Sequence, residues 1–250
     1  ITGSSSGIGL GLAKVYAKHG YNLVINGIAN DGHETAKSIA TEHGIKCIFS
    51  GADLSRGEGC RELIALAEDK FGHIDVLINN AGLQHVAPLE EFPEEKWNLI
   101  LAVNLSSAFH TAKAAWPKMR TRSYGRIINI ASVHGLVASE FKAAYVAAKH
   151  GMIGLTKVTA LEGAPFGITC NAICPGYVKT PLVDGQIRDQ AKSHGISEDE
   201  VVKKVLLAKH AIKDFVSVDS IAEMCLLLSG ESGKLITGTT MTIDGGWTAL

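Results

Sequence analysis

Tyr145 and Lys149 stand four residues apart in the run Tyr145-Val146-Ala147-Ala148-Lys149. On a helix that spacing sets a phenol and an ammonium one above the other on a single face. A tyrosine titrating near pKa ~10 is a poor proton acceptor at neutral pH. Lowering it by ~3 units takes roughly 4 kcal/mol of preference for the phenolate. A cation ~4 Å away, at an effective dielectric of ~20, supplies about that much. The two residues therefore form a chemically sensible proton-transfer couple. A hydroxyl, Ser132, follows the apolar run Ile127-Ile128-Asn129-Ile130-Ala131, and Asn104 interrupts the apolar helical stretch Val103-Asn104-Leu105.

A second cluster suits a dinucleotide. Thr2-Gly3-Ser4-Ser5-Ser6-Gly7-Ile8-Gly9 leads directly into a helical pattern. Glycines permit a tight turn and close backbone approach, and the free N–H groups of a helix start hold a pyrophosphate. Gly3, Ser5, Ser6, Gly7, Ile8 and Gly9 are the candidate contacts, although such a cluster alone also reads as a plain turn. Asp53-Leu54 suits an adenine edge, or equally an N-cap by Asp53 or Ser55 for the next helix. Asn80-Ala81-Gly82 ends an apolar strand, at the edge where doubly wound sheets bind ligands. The segment Asn26-Gly27-Ile28-Ala29-Asn30 carries no Lys or Arg to neutralise a 2′-phosphate, which favours NAD over NADP.

These groups need elements to position them. Strand patterns run over 21–25, 46–49, 74–78, 126–130, 169–173 and 240–243, and helical periodicity over 9–19, 34–43, 60–71, 96–119, 143–163 and 220–228. The alternation predicts an α/β fold, a doubly wound Rossmann-type parallel sheet with helices on both faces, forming one domain over residues 1–250. Val76-Leu77-Ile78 and Ile127-Ile128 are apolar without alternation, as in strands buried on both faces. A strand is expected before Thr2, and only Ile1 of it stands in the sequence. From 181 to 215 the chain is polar and helix-prone without a strand, the character of a helical lid over substrate.

At 250 residues and 46% hydrophobic content the chain can bury a large core, and its formal net charge of −1 disfavours nucleic acid and anionic membrane surfaces as partners. No apolar run approaches the ~18 residues needed to span a bilayer, and the start shows no signal-peptide pattern. Cys47, Cys60, Cys170, Cys174 and Cys225 include no C-x-x-C pair, so core thiols in a reducing, cytoplasmic compartment are expected, and no metal site.

With Thr2 to Gly9, Asn79 to Gly82, Asn104, Ser132, Tyr145 with Lys149, and Pro175-Gly176 in place, the chain resembles the short-chain dehydrogenase/reductases over essentially its whole length. The resemblance implies Tyr145 as general acid/base, with Lys149 binding the cofactor ribose and depressing the phenol's pKa. Ser132 would hydrogen-bond the reacting oxygen, and Asn104 would help hold a water-mediated proton path. Pro175, Gly176, Val178 and Thr180 would join Tyr145 and Lys149 in binding the cofactor.

Further stretches are similar to the branch of that family acting reversibly on small 3-hydroxy acids such as 3-hydroxybutyrate. They are Asn80 to Val86, Ser132 to Ser139, Cys174 to Val178, Pro181 to Val183 and Asp244 to Trp247. That resemblance implies a homotetramer, the D enantiomer, and a carboxylate clamp of Gln84, His134, Lys142 and Gln186. The types agree: a carboxylate wants a charge and several donors. Trp247 would wall the substrate's methyl group. Tyr177 stands where a tryptophan is usual, so a roomier pocket is expected, or a ring filling the same space with its hydroxyl on water or Lys179. Two rivals remain. A 3-oxoacyl-carrier-protein reductase would ordinarily carry Arg in the glycine loop or after the second strand. A non-catalytic dinucleotide sensor would be expected to lack Tyr145 or Lys149, and both are present.

Overall fold

The computed structural model describes residues 1–28, 30–180, 183–184, 187–188, 191 and 195–249. Six strands, β1 Leu23–Asn26, β2 Cys47–Ser50, β3 Val76–Asn79, β4 Gly125–Ile130, β5 Ile168–Pro175 and β6 Thr240–Ile243, all pair in parallel. They divide into a pair, β1-β2, and a four-stranded sheet in the order β3-β4-β5-β6. Ile1 to Ser4 lies between the two parts. The Ile1 amino group donates to the Val24 carbonyl at 3.0 Å and Thr2 N–H to the Ile78 carbonyl at 2.9 Å. Ile1 to Ser4 thus bridges the sheet's two parts.

Helices cover both faces. The principal ones are α1 Gly7–Lys18, α2 Gly32–His43, α3 Gly57–Phe71, α4 Glu94–Leu101, α5 Ser107–Arg122, α6 Ala143–Gly163 and α7 Val218–Ser229. Successive strand residues point to opposite faces, and the core divides accordingly. Ile128 joins Leu12, Tyr16, Ile39, Ile221 and Leu228 beneath α1, α2 and α7. Ile127 joins Ile64, Ala115, Met119 and Ile168 beneath α3, α5 and α6. This explains the unbroken apolar strands: both of their faces are covered.

Two stretches differ from simple periodicity. The helix expected over 96–119 is α4 and α5 joined by a π-turn, Ala102–Ser106, with Asn104 at its centre. The second stretch is the 181–215 segment. Its described part includes the helix Glu198–Val201, started by a Ser197/Glu200 capping box, then a π-turn and a 3₁₀ turn ending at Lys209. Val183, Ile187, Val201 and Leu206 give this segment a small apolar core of its own. Its two flanks meet, because Val178 and Val216 form a parallel bridge and Val216 N–H donates to the Tyr177 carbonyl at 2.8 Å. The insertion therefore leaves and re-enters the body at one place. No helix among the described residues is long and apolar enough to cross a membrane.

Candidate active site

The glycine loop is built for a ligand's phosphates. Gly3 has φ +59° and Gly7 φ +55°, the left-handed region that favours glycine. A side chain at Gly3 would also come within 2.7 Å of the Ala81 Cα, and one at Gly9 would strike the Gly3 carbonyl. The loop is tied to the end of β3 by Thr2, whose hydroxyl accepts from Asn80 N–H at 2.9 Å and Ala81 N–H at 3.0 Å. Asn80 Nδ2 donates back to the carbonyls of Thr2 and Gly3. Ser6 caps α1 in extended conformation without a side-chain hydrogen bond, leaving the helix's first N–H groups for an anion. These features fit a dinucleotide pyrophosphate.

Asn26 closes the base of the loop. Its Oδ1 accepts from Gly3 N–H, and its Nδ2 donates to the carbonyls of Ser50 and Ala52. Asp53 is exposed, and its Oδ1 accepts from Ser55 N–H at 2.9 Å. That turn holds its carboxyl below the usual range. The N-cap of α3 is Arg56, so capping by Asp53 or Ser55 does not occur and Asp53 stays open to an adenine edge. Leu54 is buried beneath.

Ser132 sits just past β4, extended at φ −176°, and its hydroxyl accepts from His134 N–H at 3.2 Å. Tyr145 and Lys149 lie on α6, as their spacing predicts. The Lys149 ammonium is buried, donates to the Ile130 carbonyl at 2.7 Å and stands 5.6 Å from the Tyr145 ring centre. Burial lowers its pKa to about 8. Burial also raises the Tyr145 phenol above its ordinary value, with the nearby Ser132 hydroxyl pulling the other way.

Asn104 is wholly buried. Its Oδ1 accepts from Leu83 N–H at 2.7 Å and its Nδ2 donates to the Leu83 carbonyl at 2.8 Å. Its amide thus clamps the segment after β3 instead of facing the cavity. The π-turn at this place is the kind of helix defect that collects at functional sites.

Gln84, Ser132, His134, Lys142, Tyr145, Tyr177 and Trp247 all line one cavity of about 140 Å³, with Ile8, Pro175, Gly176, Val178 and Thr180. Gln186 lies outside the described residues. The cavity lies at the carboxyl ends of the strands, where doubly wound sheets bind ligands.

Within it, Gln84 Nε2 is buried with no partner among the described residues. Burial, with Lys142 and Lys209 adding to it, lowers His134 to about 3, so its ring is neutral; its Nε2 lies 3.0 Å from the Ser139 hydroxyl. Lys142, at the N-cap of α6, is lowered to about 8 by burial and by Lys209. Its ammonium donates to the Tyr177 hydroxyl at 3.4 Å. The hydroxyl expected on water or Lys179 thus meets Lys142. Phe141, just before Lys142, has φ +64°, a strained turn that swings the chain into α6.

Sequence reasoning missed Ser139 and Lys209 around His134. Lys209 Nζ lies 3.3 Å from the Ser139 hydroxyl, across 70 residues of chain, a separation no local pattern reveals. Among the described residues no group of three or more His, Cys, Asp or Glu side chains is arranged to hold a metal ion.

A parallel α/β sheet with a glycine loop, a Ser–Tyr–Lys constellation and a dinucleotide cradle defines a class of nicotinamide oxidoreductases. The short chain dehydrogenase family model matches residues 1–191, and the protein belongs to that family. The chain is 49% identical to a D-beta-hydroxybutyrate dehydrogenase of Rhizobium meliloti, over 100% of this chain and 97% of that protein. It is 46% identical to the enzyme of the same name from Cupriavidus necator, over 100% and 96%. Among solved structures, L-sorbose reductase from Gluconobacter frateurii, complexed with NADPH and L-sorbose, superposes with a TM-score of 0.95. That match has 29% identity and covers 100% of this chain and 95% of the other.

Proposed function

We propose that the protein is an NAD-dependent D-3-hydroxybutyrate dehydrogenase, interconverting a small 3-hydroxy acid and its 3-oxo acid. The observation that carries this reading is the convergence of Lys142, His134 and unpartnered Gln84 on the cavity that holds Ser132 and Tyr145. One cation and several donors beside a proton-transfer pair suit a substrate whose carboxylate lies a few atoms from its reacting carbon. The cavity is far smaller than the ~300–1,000 Å³ of drug-sized sites. A 3-oxoacyl-carrier-protein substrate would leave this clamp without a role. The names of the relatives support the same substrate.

The cofactor's part would be to accept or return the hydride. Gly3, Ser5, Ser6, Gly7, Ile8 and Gly9 would hold its pyrophosphate, Asp53 and Leu54 its adenine, and Lys149 its ribose. Asn80, Ala81, Gly82, Pro175, Gly176, Val178 and Thr180 would line the rest of its path. In oxidation Tyr145 takes the proton of the substrate hydroxyl while Ser132 holds the oxygen. In reduction the same phenol returns it. Asn104 positions the wall of the site through Leu83. NAD is preferred because nothing basic stands between Asn26 and Gly32, and Asn26 is already engaged within the loop.

We assign the protein to the cytoplasm, where its free and mostly buried thiols suit a reducing medium. We also infer a homotetramer, supported by exposed apolar residues Phe109 on α5 and Val158 and Leu161 on α6. The deciding assay follows absorbance at the NADH band with D- and L-3-hydroxybutyrate and either cofactor. Rapid reduction of NAD by the D acid is expected. No turnover with either enantiomer overturns the substrate, and equal or better kcat/KM with NADP overturns the cofactor.

A further inference from the structure

His210 is fully buried at the end of the 181–215 insertion, immediately after the 3₁₀ turn Leu207–Lys209. It lines neither the glycine loop nor the substrate cavity. Its Nε2 lies 3.3 Å from the backbone nitrogen of Tyr177, and its Nδ1 lies 3.1 Å from the Asp214 carbonyl oxygen. A backbone N–H can only donate and a carbonyl can only accept. The two contacts together therefore require one form of the ring, neutral with its proton on Nδ1.

The ring occupies a slot between two glycines. A Cβ at Gly176 would come within 2.8 Å of Nε2, and one at Gly245 within 2.8 Å of Nδ1. From this slot the imidazole stacks on Tyr177, with ring centres 6.0 Å apart and 27° between planes. It also packs against Trp247 at 5.7 Å. Tyr177 and Trp247 stack on each other at 5.6 Å, and Trp247 meets His134 edge-on at 5.2 Å. Both aromatic walls of the cavity thus rest on His210 from behind, and the Tyr177 hydroxyl they present is the acceptor for Lys142.

We propose that His210 is a positioning residue for substrate: its neutral ring, accepting from Tyr177 N–H, sets the Tyr177–Trp247 wall and ties the insertion to the body of the fold. The substrate named in its test rests on the proposed function; the role itself does not. Protonation would turn Nε2 into a second donor facing Tyr177 N–H, so the contact is acid-sensitive. The surroundings keep the ring neutral. Burial holds its pKa below the ordinary histidine value and Lys213 adds to this, while the Asp244 carboxylate and the Asp214 carbonyl act oppositely. The Tyr177 phenol on its stacked face stays protonated, as burial raises its pKa.

The test uses the full chain carrying Trp97→Phe and Trp116→Phe, so that Trp247 is the only indole. With His210 intact, Trp247 emission should shift as pH falls below the ordinary histidine value of ~6.5. His210→Gln, which retains a carbonyl acceptor and an amide donor, should abolish that transition while keeping the neutral-pH emission and kcat/KM within about threefold. His210→Leu, which leaves Tyr177 N–H without an acceptor, should shift emission at all pH values. It should also raise KM for D-3-hydroxybutyrate about tenfold, with the KM for NAD within about twofold. An acid transition that persists in His210→Gln overturns the proposal, as does His210→Leu with native emission and KM. If His210→Leu fails to fold, the pH response of His210→Gln decides. The emission measurements need no substrate, so they stand even if the protein does not oxidise 3-hydroxybutyrate.

Discussion

Tyr145 meets opposite influences: burial favours its neutral phenol, and the Ser132 hydroxyl favours the phenolate. A group that must change charge during turnover gains from such a balance. Tyr145→Phe should lose at least ~10² in kcat, the usual scale for a general acid or base, with NAD affinity by fluorescence titration nearly unchanged. Near wild-type kcat would remove Tyr145 from the mechanism. Lys142 allows a pH argument. Its pKa is lowered to about 8, so the ammonium is present below that value and lost as pH rises through it. The kcat/KM for 3-hydroxybutyrate should therefore fall on the alkaline side with a midpoint near that of Lys142. Lys142→Ala should raise KM roughly 10–150-fold, the worth of a charged hydrogen bond, and should reduce this limb to the share of Lys149, whose pKa is also lowered to about 8. A neutral 3-hydroxy ester should be affected much less. If ester and acid lose activity equally, the lysine is structural.

At the scale of elements, the π-turn between α4 and α5 and the 181–215 insertion do what regular helices cannot. The π-turn carries Asn104, whose two hydrogen bonds hold both polar groups of Leu83. Asn104→Ala leaves a part-buried N–H and C=O unmatched, at ~1–3 kcal/mol. The melting temperature should drop by roughly 2–4 °C for each kcal/mol in a chain of this size, and kcat should fall with it. An unchanged melting temperature would mean that other groups hold Leu83. The insertion has its own apolar cluster and is joined to the body through the Val178–Val216 bridge. We propose that its 195–215 part closes over the cavity when substrate binds. Hydrogen exchange within its described part, 195–215, should slow when NAD and a non-reacting substrate analogue bind together. Equal exchange with and without them would argue against closure.

For the whole molecule, Phe109 on α5 and Val158 and Leu161 on α6 are exposed apolar positions, and none of them lines the substrate cavity. Light scattering on the eluting protein should give about four times the 26.4 kDa chain mass, and Leu161→Lys should shift it towards smaller species with the fold retained by circular dichroism. A monomeric wild type would refute the tetramer. Because Ser132, Tyr145, Lys149 and Lys142 all belong to one chain, the smaller species should keep measurable turnover.

Much of this protein was determined by local sequence. The alternating strand and helix patterns, α6 over Ala143–Gly163, and the placement of Tyr145 above Lys149 follow from periodicity, which the backbone enforces over a few residues. The apolar run Ile127-Ile128 implied cover on both faces, and the two cores confirm it. Tertiary structure decided what depends on residues far apart in the chain. It placed the Tyr177 hydroxyl on Lys142 instead of Lys179, turned Asp53 into a local loop away from the helix cap, and set a π-turn within one expected helix at Asn104. It also brought His210 behind Tyr177 and Trp247. None of these has a periodic signature. Each rests on desolvation and hydrogen-bond partners that exist only once the strands and the insertion have packed together.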